Sequence, residues 1–95
     1  MLRLTPQAGR EGEIVLVIDG WMTGANADLV EREVLRLSQS QTVSEVDLQG
    51  VRSIDRRGIA VLGRLISNGL EIRGGSSYVD LLLRQVVFPW QHICG

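Results

Sequence analysis

Few side chains in this sequence are placed to do chemistry, and their spacing decides most of the possibilities. His92 and Cys94 stand two apart in an apolar tail, with no second His or Cys to complete a metal shell, so neither a zinc nor an iron centre is expected. A Cys–His nucleophile pair would need a third group to orient it and a scaffold that makes the two face each other. A three-residue stretch in a tail is a poor place for either. No GxxxxGK[ST] loop and no GxGxxG is present; Gly74-Gly75-Ser76-Ser77 before an apolar periodic segment could cradle an anion, but a turn and helix cap is the better reading. Asp55 has no second carboxylate or His placed to share a proton with it, which makes it a helix cap and not an acid catalyst. No enzyme motif survives, and no cofactor is expected.

The unusual local feature is Asp55-Arg56-Arg57-Gly58 at the entrance of an apolar helix. A helix N-terminus favours negative charge by about 0.3–1 kcal/mol, and two guanidinium groups there oppose it. Two explanations stand: both side chains reach solvent beside the Asp55 cap, or they meet an acidic partner or a bound anion. Trp21, set between Gly20 and Gly24, is a candidate partner anchor. The tail Val86-Val87-Phe88-Pro89-Trp90 either closes the core or contacts another subunit, with closure the better expectation for so short a chain.

These residues need elements to hold them. Glu13 to Asp19 is a β-branched apolar run, too short for a helix and apolar on both faces, as in a central strand covered on both sides. Leu2 to Thr5 alternates and pairs with it as an antiparallel edge through the loop Pro6 to Gly12. Thr23 or Asn26 is placed to cap a helix running to Ser38, with Leu29, Val30, Val34 and Leu37 on its buried face. A strand at 43–48 ends at Gln49-Gly50. A helix over 57–67 buries Ile59, Leu62, Leu65 and Ile66 and stops at Asn68-Gly69. A strand at 70–73 follows, then a helix starting near Ser77 with Val79, Leu82, Leu83 and Val86 on one face.

The order β-β-α-β-α-β-α implies parallel crossovers and an α/β fold, whose partners meet the loops at the carboxyl ends of the strands. Those loops are 19–24 and 49–58.

Composition narrows the partners. The 95 residues make one domain, 44% hydrophobic and 22% charged, as in an ordinary folded protein. Ten basic residues, all Arg, against 11 acidic ones leave a net charge of -1, so nothing draws the chain to nucleic acid or anionic lipid. A single cysteine cannot form an internal disulfide, and no apolar run is long enough to span a membrane or serve as a signal peptide. A cytoplasmic address is expected.

The run Val46-Asp47-Leu48-Gln49-Gly50-Val51 through Ile54-Asp55-Arg56-Arg57-Gly58 and the apolar helix after it resembles the signature of the STAS domain. That family includes bacterial anti-sigma factor antagonists and the cytoplasmic tails of sulfate transporters. Ile18-Asp19-Gly20-Trp21-Met22-Thr23-Gly24 resembles its Gly-x-Leu-Thr loop, and the likeness spans about residues 13–85. The resemblance implies a STAS-like four-stranded mixed sheet with helices packed against it, and no catalytic residues. It implies a protein partner, a kinase-type anti-sigma factor, bound through the turn after the third strand. In the family that turn carries a Ser or Thr whose phosphorylation releases the complex. Here Asp55 and Gly58 match, but Arg56 and Arg57 stand at the serine positions, and a fixed positive charge cannot be switched by a kinase. Ser53 is a poor substitute, because side chains alternate along an extended segment.

A regulatory interaction module is therefore expected, bacterial by the resemblance, with Trp21, Ser53, Asp55, Arg56, Arg57 and Gly58 at its partner surface and Arg57→Glu abolishing binding. The alternatives are a cytoplasmic STAS subunit of a lipid ABC transporter, or a nucleotide- or phosphate-sensing domain held by Arg56, Arg57 and the helix N-terminus. Longer members add a strand and helix after the element matched by Ser76 to Gln85. With Pro89 in the remaining ten residues, the last strand is expected to be missing, and a homodimer through the tail or the bared sheet edge is expected to cover it.

Overall fold

Alternation of apolar side chains builds the sheet. In the computed structural model, which describes residues 1–74, the chain forms β1 (Leu2–Ala8), β2 (Ile14–Met22), β3 (Val43–Ile54) and β4 (Glu71–Arg73). Helix α1 (Ala25–Ser38) joins β2 to β3, and α2 (Arg56–Ser67) joins β3 to β4. The sheet order is β1-β2-β3-β4, with β1 antiparallel to β2 and the other two pairings parallel. It is the four-stranded mixed sheet expected, two helical crossovers linking its parallel strands.

Ile14, Leu16 and Ile18 of β2 alternate into one face and are buried there with Val46 and Leu48 of β3. Helices α1 and α2 close that face with Ala27, Val30, Val34 and Leu37 from one and Ile59, Val61, Leu62 and Leu65 from the other. Val15 and Val17, on the opposite side of β2, are only half-buried, so among the described residues the strand is covered fully on one face. No helix among the described residues is long and apolar enough to cross a membrane.

The strands outrun their expected ends. β2 continues through Gly20 to Met22, and β3 through Gln49-Gly50 to Ile54, because register shifts after Ile14, Val17 and Gly20 absorb extra residues of β3 without ending the ladder. β1 extends to Ala8 and tolerates Pro6 because it lies at an edge of the sheet. Its connection to β2 is a short 3-10 turn, Arg10–Gly12, in which Glu11 takes a φ of 51°.

Helix α1 also corrects the sequence reading. Its cap position is Gly24, neither Thr23 nor Asn26, and no side chain of its own caps it. Its buried stripe is Ala27, Val30, Val34 and Leu37, while Leu29 is exposed: the helix is turned so that a small alanine meets the sheet. In α2, Ile66 is only half-buried. The helix expected from Ser77, the tail with Phe88, Pro89 and Trp90, and His92 and Cys94 lie outside the described residues.

Candidate functional site

At the carboxyl ends of β2 and β3 the chain leaves the sheet twice, into α1 and into α2, and one side chain ties the two exits together. Asp55 is the N-cap of α2; its Oδ1 accepts from the Gly58 N–H at 2.9 Å. Its Oδ2 accepts from the Gly24 N–H at 2.9 Å, across 31 residues of chain. One carboxylate thus satisfies an orphan donor of α2 and the amide at the cap position of α1. The N–H of Gly58 first, and that of Gly24 second, hold its carboxyl below the usual carboxylate range. The negative charge is therefore fixed at a helix N-terminus, where it opposes the cost of the two arginines that follow.

Two glycines make the junction possible. Gly24 has φ 53° and ψ −130°, a conformation closed to L side chains, and this turns its N–H toward Asp55. Gly58 is buried in the first turn of α2, where a Cβ would run into the carbonyl oxygen of Met22 and lie 2.6 Å from Cγ1 of Ile54. The start of α2 thereby rests directly on the end of β2.

Around this junction the other expected residues are exposed. Trp21 and Ser53 are register partners across β2 and β3, and the indole-bearing residue is 54% exposed. The Trp21 carbonyl accepts from Nδ2 of Asn26 at 3.1 Å, which holds the loop against α1. Arg57 reaches back to Asp28 of α1, Nε to Oδ1 3.5 Å, a loose pair open to solvent. Arg56 has no ion-pair partner among the described residues. The two arginines that look alike in sequence therefore differ: Arg57 pairs with a neighbour, while Arg56 makes no ion pair among the described residues.

The structure thus brings Trp21, Ser53, Asp55, Arg56, Arg57 and Gly58 to one pole, with Asp55 and Gly58 building it and Trp21, Ser53, Arg56 and Arg57 presenting its surface. Sequence reasoning missed Gly24 and Asp28. Gly24 carried a signal, a glycine at the boundary of strand and helix, whereas Asp28 is set by a contact between helices. Two shallow hollows lie toward the amino ends of the parallel strands, one lined by Glu45, Asp47 and Arg73, the other by Leu35, Leu65 and Leu70. Among the described residues no group of three His, Cys, Asp or Glu side chains is placed to hold a metal.

A mixed sheet with this strand order and these helical crossovers is found in solved proteins. The chain superposes on an anti-sigma factor antagonist from Mycobacterium paratuberculosis with a TM-score of 0.69, at 14% identity, over 94% of this chain and 82% of that one. The fold is that of the anti-sigma factor antagonists. The antagonist SpoIIAA in its unphosphorylated form aligns with a TM-score of 0.63 at 11% identity, over 86% of this chain and 82% of its own. Mglu aligns at 0.54 and 18% identity over 76% of this chain but 19% of its own length. No protein-family model matches the sequence, and neither does any curated protein. The α/β, STAS-like fold expected from residues 46–62 is the fold observed.

Proposed function

We propose that this protein is a non-enzymatic regulatory module that binds a protein partner at the pole built by Asp55, in the manner of an anti-sigma factor antagonist but without a phosphoserine switch. The observation that carries this reading is the double acceptance by Asp55 from Gly24 and Gly58, which fixes two loops of an antagonist-like fold as one presenting surface. Arg56 and Arg57 support the missing switch, since neither side chain can be phosphorylated by a serine kinase. The favoured partner is a kinase-type anti-sigma factor in the cytoplasm.

Affinity capture from native lysate with wild-type, Arg56→Glu and Arg57→Glu baits tests the reading. Recovery of a histidine-kinase-like ATPase that Arg56→Glu loses, with no phosphate mass gained on the bait after addition of ATP, is the expected outcome. Recovery of permease and ATPase subunits in its place would move the chain to the transporter class and retire the sigma-factor reading.

A further inference from the structure

Strand β3 breaks its own alternation at the binding pole. Val51 and Ile54 are buried, but the two residues between them, Arg52 and Ser53, are both exposed. The register explains this: Gly20 pairs with Val51 and Trp21 with Ser53, so Arg52 is an extra residue with no partner on β2. Such bulges re-aim a side chain that regular pleating would send elsewhere.

Among the described residues the bulged residue is a cation without a counter-charge. Two carboxylates of this pole are already engaged, Asp55 by two backbone amides and Asp28 by Arg57, and Asp19, packed close to Gly50, makes no ion pair with either arginine. Among the described residues neither Arg52 nor Arg56 makes an ion pair or a side-chain hydrogen bond. Next to Arg52 stands the exposed Trp21, and Trp and Arg are the residue types that dominate binding energy at protein interfaces. Arginine with an aromatic also suits single-stranded nucleic acid, but a chain of net charge -1 has no field to gather a polyanion.

We propose that Arg52, set out of register beside Trp21, is a binding residue which with Trp21 and Arg56 receives a protein segment carrying acidic side chains next to a large apolar one. The apolar group covers the indole and the carboxylates pair with the guanidinium groups of Arg52 and Arg56. This rests on the reading that the Asp55 pole is the partner surface, and it names the chemistry of what docks there.

Peptide display against the full chain tests it, followed by affinity measurement of one enriched peptide on wild type and on Arg52→Glu, Arg56→Glu, Arg57→Glu and Trp21→Ala, each with wild-type circular dichroism. The expected peptides carry Asp or Glu beside Leu, Ile, Phe or Trp, and bind more weakly as salt rises. Arg52→Glu, Arg56→Glu and Trp21→Ala should each weaken binding by about tenfold or more, and Arg57→Glu by less. Wild-type affinity in Arg52→Glu, with loss in Arg56→Glu and Trp21→Ala, overturns the role of Arg52 and leaves the pole as the partner surface. Unchanged affinity in all four variants overturns the pole itself. Failure to enrich acidic peptides, or binding of an oligouridylate in their place, overturns the proposed ligand chemistry.

Discussion

Asp55 acts on stability through its charge as well as its position. Because hydrogen bonds from Gly58 and Gly24 lower its pKa in the folded chain, folding favours the ionised form. The sign follows: this stabilisation is complete above the ordinary carboxylate pKa of about 4 and is lost as pH falls through the lower folded value. Asp55→Asn keeps one acceptor and turns an amide NH2 toward the other N–H. Its Tm should fall below wild type at neutral pH, and the gap should narrow as pH is taken below the ordinary carboxylate range and wild type loses its own charge; equal gaps at neutral and strongly acid pH in thermal melts would refute the assignment. Gly58→Ala tests the neighbouring contact. In a free helix the change would help by up to about 1 kcal/mol, but here the new Cβ meets the Met22 carbonyl, which is backbone and cannot swing aside. A net loss of about 1–3 kcal/mol in urea unfolding is expected, with an unchanged m-value.

Between elements, the seam of α1 and α2 is held by charge at its rim. Arg64 grips Glu31 through two hydrogen bonds of 2.7 and 2.9 Å, and Arg57 meets Asp28 about two turns earlier on α2 and one turn earlier on α1. Both pairs are open to water, so a cycle of Glu31→Gln and Arg64→Gln should show a coupling of only about 0.2–1 kcal/mol, smaller still in 1 M salt, where the screening length is about 3 Å. Chemical denaturation of the four proteins measures it. The elements themselves were legible unevenly, and for physical reasons. The cap and apolar stripe of α2 are local, so Asp55, Ile59, Leu62 and Leu65 could be read directly. The start of α1 could not, because its amide partner comes from 31 residues away and no local spacing encodes it. Gly20 and Gly50 read as strand breakers, yet bulges carried both strands past them. Leu29 read as core because its spacing fits, but Ala27 took the face where the helix lies close to the sheet. Arg52 was invisible for the same reason as the strand ends: a register shift is a property of two strands together.

Across the molecule, one buried cluster among the described residues joins β2, β3 and both helices, with Leu2 and Leu4 of β1, Ile72 of β4 and Leu70 just before it packed against it. Unfolding should therefore be a single cooperative transition. Leu62→Ala, at a side chain with no exposed surface, should cost about 2–5 kcal/mol by leaving a cavity, while Leu35→Ala, 61% exposed, should stay within about 0.5 kcal/mol of wild type. Calorimetry would separate them, and a second transition in either variant would refute the single unit. Core and Asp55 pole are also distinct: Arg52, Arg56 and Trp21 lie outside the cluster, so surface chemistry there can vary without touching what folds the chain. The Asp55 tie extends this separation into the kinetics of encounter. Two loops already joined by one carboxylate have little to rearrange when a partner arrives, so association should run at the ordinary pace of rigid docking, about 10⁵–10⁷ M⁻¹ s⁻¹. Competing partners would then be told apart by how long each one stays.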